Sequence, residues 1–148
     1  MATGSFARSD LAAVAERMRD LDICILSTRA DGRLEARPMS NNGQVEWDGD
    51  TWFFARRDSA KVAQIEGDPA VSLGYVATER GTWVAIEAEA EIVDDPDAKQ
   101  ERWFDDLERW FPGGHSDPDV VLIRAAATRV RAWGEDGDLD VRREDATA

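Results

Sequence analysis

The sequence predicts a mainly β protein of the α+β class, an antiparallel barrel with flanking helices, on three observations. Short apolar runs alternate with tight-turn dipeptides such as Asp31-Gly32, the pattern of hairpin-linked strands. Thr82 to Val93 sets Val84, Ile86, Ala88, Ala90 and Ile92 on one face and Glu87, Glu89 and Glu91 on the other. That period of two belongs to a strand with one packed side and one wet side. Helical periodicity is confined to three segments, too few for the helix between most strand pairs that parallel winding requires.

Taken in order, Ser9 to about Leu21 places Leu11, Val14, Ala15 and Met18 at helical spacing, with Ser9 or Asp10 available as a cap. Ile23 to Thr28 reads as a strand, and the turn at Ala30-Asp31-Gly32 returns the chain along Arg33 to Met39. Pro38 deprives one side of that return strand of a donor. Asn41-Asn42-Gly43 turns the chain again. Gln44 to Trp47 and Thr51 to Ala55 are two short strands around Asp48-Gly49-Asp50.

Ser59 to Glu66 is a short helix carrying Val62, Ala63 and Ile65, stopped by Gly67-Asp68-Pro69, and Ala70 to Val76 is a strand. After the long strand Thr82 to Val93, a helix is expected from Pro96 to Phe111. Asp94 or Asp95 would cap it, Pro96 suits its first position, and Pro112-Gly113-Gly114 ends it. Its apolar stripe would be Trp103, Phe104, Leu107, Trp110 and Phe111. Val120 to Trp133 is the last long strand. Residues 135–148 read as a short strand and a polar tail. The whole of 1–148 is expected to form one domain, with 9–134 as the barrel and its helices.

Composition narrows the function. The 148 residues carry 31 acidic against 18 basic side chains, a net charge of −13, which repels nucleic-acid backbones and anionic membrane surfaces. With 43% hydrophobic residues and 6 tryptophans the chain can bury a core. A single cysteine, Cys24, excludes an intrachain disulfide framework, and its apolar strand makes it a core residue. No apolar run reaches the ~20 residues of a membrane span, and the charged start lacks a signal peptide's apolar stretch. The expected location is the cytoplasm.

Several kinds of site are set aside. Neither GxGxxG nor GxxxxGK[ST] occurs. His115 is the lone histidine and stands in a turn, where an exposed loop side chain is the expected reading and haem ligation a poor one. The glutamates at 87, 89 and 91 read as a solvated face before a cation site. The aromatic stripe after Pro96 reads as packing, or as a dimer face.

One stretch points to chemistry: Phe54-Ala55-Arg56-Arg57-Asp58-Ser59-Ala60-Lys61. A strand ends and a helix begins here, with Ser59 at the cap and Lys61 in the first turn. Free N–H groups and the helix dipole attract an anion, and a lysine placed against that dipole costs stability without one. Lys61 is one of only two lysines, the other being Lys99. Arg56 and Arg57 add positive charge, while Asp58 could be the counter-charge. Arg37-Pro38-Met39-Ser40 is a second candidate, an arginine able to fork a phosphate beside a flat apolar wall.

These pieces, in order, resemble the pyridoxamine 5′-phosphate oxidase-like split barrels, and among them the short general stress protein branch. The features are Arg37-Pro38-Met39, then Trp52-Phe53-Phe54-Ala55 with Ser59-x-Lys61, and Val62 to Ile65. Asp68-Pro69-Ala70-Val71-Ser72, Thr82 to Val93, and Arg131-Ala132-Trp133 follow. The resemblance implies a homodimer holding FMN in an intersubunit groove, with FAD as an alternative. By that resemblance Ser59 and Lys61 hold the phosphate and Arg37 reaches it. The backbone at Pro38, Met39, Ser40, Phe54 and Ala55 lines the ribityl chain and ring, Thr82 makes a polar contact, and Trp133 approaches the ring edge.

Two departures separate the chain from the oxidase itself. Asn42 stands where the oxidase has a lysine five residues after its arginine, and the closing stretch with Val141-Arg142-Arg143-Glu144-Asp145 lacks the oxidase's arginine-histidine-rich substrate segment. The expected activity is therefore an FMN-dependent oxidoreductase exchanging electrons with a small molecule, and not pyridoxamine phosphate oxidation. The alternatives are a non-catalytic flavin carrier or sensor in stress response, and a deazaflavin-dependent reductase.

Overall fold

A computed structural model describes residues 5–41 and 46–144. The elements are helix α1 (Arg8–Met18), strands β1 (Ile23–Ala30), β2 (Arg33–Ser40) and β3 (Asp50–Arg56), helix α2 (Ala60–Gly67), and strands β4 (Ala70–Ala77) and β5 (Thr82–Val93). Helix α3 (Pro96–Arg102) and strands β6 (Val120–Gly134) and β7 (Leu139–Arg142) complete them, with single 3-10 turns at Thr78–Arg80 and Asp105–Arg109. All the strands join one antiparallel sheet in the order β2-β1-β4-β5-β6-β3, with β7 also on β6.

Local chemistry sets the pairing. Asp31 and Gly32 both take positive φ (51° and 77°), the two-residue turn whose twist matches a hairpin, and Ala30 pairs with Arg33 across it. β2 pairs only with β1 among the described residues, so Pro38 removes no ladder donor from an interior strand. β6 is the spine. Its first half lies between β5 and β3, and its second half between β5 and β7. A bulge between Glu87 and Ala88 leaves Thr128 without a β5 partner, and its hydroxyl donates to the Glu87 carbonyl at 3.1 Å.

The inward faces fill the barrel. Leu26, Phe53, Leu73, Tyr75, Val84, Ile86, Val121, Ile123 and Val130 are fully buried, with Val14 and Met18 of α1 and Val62 and Ile65 of α2 closing over them. A smaller core lies on the opposite side of β3 and β6, where Phe54, Leu107, Val120 and Leu122 meet Trp103 and Phe111. On the outer face Glu87, Glu89 and Glu91 each meet an arginine (Arg129, Arg143 and Arg124), so they form a paired, solvent-facing surface.

Four sequence expectations need correction. α1 starts at Arg8 with Ala7 as its cap, and neither Ser9 nor Asp10 caps it; Asp10 instead lies in the first turn, where its charge suits the dipole. Glu46 and Trp47 form no strand, although Trp47 is buried with its ring edge-on to Phe6; Asn42 to Val45, and with them most of the Asn41-Asn42-Gly43 turn, lie outside the described residues. The helix from Pro96 to Phe111 breaks after Arg102: Trp103 and Phe104 are extended and a 3-10 turn restarts at Asp105. Two aspartates favour a first turn over a helix interior, and the break lets Trp103 pack edge-on against Phe54 at 5.3 Å while Leu107 is buried. His115 is half-buried, its ring 5.9 Å from Trp103.

Asp95 caps α3 as expected, accepting from the Ala98 N–H at 3.1 Å, and Pro96 opens it. The far end of α1 is closed from a distance: the Arg80 guanidinium donates to the carbonyls of Glu16, Arg17 and Arg19, at 3.4, 3.3 and 2.5 Å. At the β5–β6 closure Gly134 has φ 147° and a Cβ there would lie 1.9 Å from the Gly81 carbonyl oxygen. Gly134→Ala is expected to destabilise the protein by about 3 kcal/mol in urea unfolding, because backbone rather than a pliable side chain must give way.

Candidate functional site

The two end strands of the sheet, β2 and β3, are not paired with each other among the described residues, and the barrel is split at that seam. A strand edge presents unpaired N–H and C=O groups that something must satisfy. A cleft of about 580 Å3 follows the seam. Pro38, Met39 and Ser40 from β2 form one wall, and Phe54, Ala55 and Arg56 from β3 the other. Asp58, Ser59 and Lys61 close the polar end, and Leu107, Trp110 and Phe111 supply an apolar lid edge.

The polar end is built by the turn into α2. Ser59 sits at the cap position in an extended conformation, but its side chain caps no helix N–H; its hydroxyl donates to the Arg56 carbonyl at 2.7 Å. The first turn of α2 holds no acidic residue. It holds Lys61, which makes no ion pair among the described residues. Burial, and then the nearby Arg37 guanidinium, push the Lys61 ammonium below its ordinary value. A half-buried cation, a second cation beside it, and an uncapped helix start make a point where negative charge is missing.

The remaining cations divide. Arg56 lines the cleft, its guanidinium 5.8 Å from the Phe111 ring centre. Arg57 leaves the basic cluster in which the sequence groups it: it turns outward to pair with Asp94 and donates from Nε to the Pro118 carbonyl at 3.1 Å. Arg37 lies behind the cleft. Its Nη1 donates to Thr28 Oγ1 at 2.8 Å and to the Leu26 carbonyl at 3.3 Å, and Nη2 to Gln64 Oε1 at 3.0 Å. Gln64 in turn donates to Glu35 at 2.9 Å, tying α2 to the β1–β2 hairpin.

The structure thus brings Pro38, Met39, Ser40, Phe54, Ala55, Ser59 and Lys61 to one cleft, with Arg37 as electrostatic backing. Thr82 and Trp133 lie elsewhere in the chain. Thr82 is buried with its hydroxyl directed to the Arg80 carbonyl, 3.3 Å away. Trp133 stands on the outer face of β6. Ile23, Leu107 and Trp110 line the cleft although the sequence does not assign them to a site. For Trp110 the signal is present but misplaced: a tryptophan on an apparent packing stripe that the helix break leaves 69% exposed.

The chain's own pattern decides the family. The sequence signature of the pyridoxamine 5′-phosphate oxidase like family matches residues 9–142. The chain belongs to that family. The fold of this oxidase-like protein is shared by known structures of low sequence identity. General Stress Protein 26 from Bacillus anthracis is 21% identical with a TM-score of 0.72, covering 90% of this chain and 96% of that one. A Clostridium acetobutylicum protein related to general stress protein 26 is 17% identical with a TM-score of 0.73, covering 92% and 96%. The general stress FMN/FAD binding protein of Xanthomonas citri is 22% identical with a TM-score of 0.70, covering 96% and 95%. No curated protein matches the sequence. No helix of the described residues is long and apolar enough to cross a membrane, and no group of metal-ligating side chains occurs among them.

Cys24 is core, not chemistry. Burial pushes its thiol up to about 11, with the Tyr75 hydroxyl only partly offsetting this. A thiol-reactive dye at pH 8 is expected to leave the native protein unlabelled and to titrate one thiol after denaturation.

Proposed function

We propose that this protein binds FMN in the β2–β3 cleft as a homodimer and acts as an FMN-dependent oxidoreductase. The observation that carries the reading is Lys61: a half-buried ammonium in the first turn of an uncapped helix, with no ion pair among the described residues of a chain with net charge −13. A phosphate monoester, which carries close to two negative charges at neutral pH, supplies what that position lacks. The fit extends along the cleft. A volume of about 580 Å3 lies in the range of small-molecule sites, and its walls pair two strand edges with the rings of Phe54, Phe111 and Trp110.

When bound, the flavin supplies reversible electron transfer. The protein's part is to grip and orient. Ser59, Lys61 and the first N–H groups of α2 hold the phosphate, and Arg37 adds field from behind. The backbone of Pro38, Met39, Ser40, Phe54 and Ala55 offers hydrogen-bonding groups to the polar edges of the ring, and the aromatic side chains exclude water.

The outer face of the sheet supports the homodimer. Val76, Trp83 and Trp133 stand in one cross-strand row by register, Ile23 extends it one residue before the Cys24–Tyr75 pair, and the four are 65, 41, 39 and 57% exposed. Four large apolar side chains in line are an association surface. Ile23 lines the cleft, and Trp133 lies three strand spacings away, roughly 14 Å. A two-fold interface is self-complementary, so laying this row antiparallel on a second copy puts the partner's Trp133 against Ile23 at the cleft mouth. That gives Trp133 a place near the ring that a single protomer does not. The cofactor is FMN in this reading because Lys61 and Arg37 together match a terminal dianionic phosphate.

A second reading, a flavin carrier or sensor without turnover, is favoured by one feature. The titratable groups lining the cleft, Arg56, Asp58 and Lys61, gather at its phosphate end, leaving none among the other lining residues to move a proton. Steady-state oxidation of NADH or NADPH by the FMN-loaded protein separates the two, since a carrier holds the pigment and gives no sustained oxidation.

Lys61→Ala is expected to weaken FMN by about 1.5–3 kcal/mol and riboflavin hardly at all, read by flavin fluorescence quenching. Equal losses for both flavins would remove the phosphate from this end. FMN affinity should also fall as pH rises through the lowered Lys61 value, before the range of an ordinary lysine, because the cationic form is the one that binds. Val76→Arg, near the middle of the apolar row, is expected to shift sedimentation from dimer to monomer; an unchanged dimer would place the interface on another face.

A further inference from the structure

The turn that carries Ser59 and Lys61 is tied to the segment after β5 through one carboxylate. Asp94 follows β5, and its oxygens are divided between two cations: Oδ2 takes the Arg57 guanidinium and Oδ1 takes Lys99 Nζ at 3.1 Å. Lys99 is buried, its side chain 5% exposed, and its Nζ also donates to the Val120 carbonyl at 3.0 Å. Arg57 is fixed at two further points, its backbone N–H on the Asp119 carbonyl at 2.8 Å and its Nε on the Pro118 carbonyl at 3.1 Å. From Arg57 the turn closes locally, where the Ser59 N–H and hydroxyl both donate to the Arg56 carbonyl. α2 begins at the next residue.

We propose that Asp94 is a positioning residue for the anion-binding turn: held by buried Lys99, it fixes Arg57 and so sets where Ser59, Lys61 and the first N–H groups of α2 point. The proposal rests on the flavin reading above. An exposed ion pair on its own contributes little, largely because two mobile side chains must be immobilised. Here that cost is already met from the other side. Lys99 is immobile by burial, so Asp94 is ordered before Arg57 arrives, and Arg57 is ordered by two backbone carbonyls. Ligand binding is sensitive to such scaffolding, since charge-assisted hydrogen bonds to a phosphate depend on distance and angle. Asp94, Arg57 and Lys99 do not line the cleft, so they reach a ligand through the turn that follows Arg57.

The test compares dissociation constants for FMN and riboflavin in the full-length protein and in Arg57→Gln, Arg57→Lys, Asp94→Asn and the double variant Asp94→Asn/Lys99→Met. The double variant removes the buried ammonium that Asp94→Asn alone would strand, and Arg57→Gln leaves the Asp94–Lys99 pair intact. Arg57→Gln and both Asp94 variants are expected to weaken FMN by about tenfold with riboflavin changed less than about twofold, and Arg57→Lys to recover part of the loss. In a Lys61→Ala background the Asp94→Asn effect on FMN should shrink, because the two act through one contact. Parallel losses for both flavins, or an unchanged FMN constant in Arg57→Gln, overturn the proposal while leaving flavin binding in place. A wild-type protein that takes up neither flavin overturns the flavin reading and this proposal with it.

Discussion

Two strand edges that do not meet govern the structure. In a closed barrel β2 and β3 would hydrogen-bond to each other; here β3 ends at Arg56 and leads into α2, which packs on β1 and β5, and the edges are held apart. Open strand edges invite pairing with other chains unless they are covered. The fold covers this one partly with Leu107, Trp110 and Phe111 and leaves the rest as a lined cleft. The unusual path after α3, extended at Trp103 and Phe104 and then a tight turn, serves that geometry. A straight helix through Phe111 would carry the lid residues along its own axis and away from the seam.

Charge placement separates what is structural from what is poised to bind. Several arginines at the sheet surface meet carboxylates, as Arg124 and Arg129 do with Asp50 and Asp140. The two lysines are opposites. Lys99 is buried and fully engaged by Asp94 and the Val120 carbonyl, so its role is architectural. Lys61 is half-buried beside Arg37, a placement that raises the energy of its charged form. Like charges kept close together in an acidic protein persist when an anion relieves them, and the uncapped start of α2 points to the same deficit.

What could be read from the sequence follows from how local each feature is. The Asp31-Gly32 hairpin and the alternation in β5 were legible because two or twelve adjacent residues determine them. The cleft walls were legible because a strand end, Ser59 and Lys61 lie together in the chain. Arg57 was not, since its partners Asp94 and Pro118 are distant in sequence and nothing local distinguishes it from Arg56. The closing of α1 by Arg80 was hidden for the same reason. The break at Trp103 carries no glycine or proline to announce it; the aspartates after it favour a new turn only weakly, and packing against Phe54 and Leu122, on strands formed elsewhere, completes it. Trp133 and Ile23 could be recognised as apolar strand residues, but only the register shows that they share a row.

The ladder between β3 and β6 joins Arg56 to Val120 and Asp50 to Ala126. During synthesis, therefore, one wall of the seam has nothing to lean on until β6, more than sixty residues further along the chain, has emerged. Pairings between segments so remote along the chain form slowly. A ligand that needs both walls of the seam therefore has no site until β6 has joined β3.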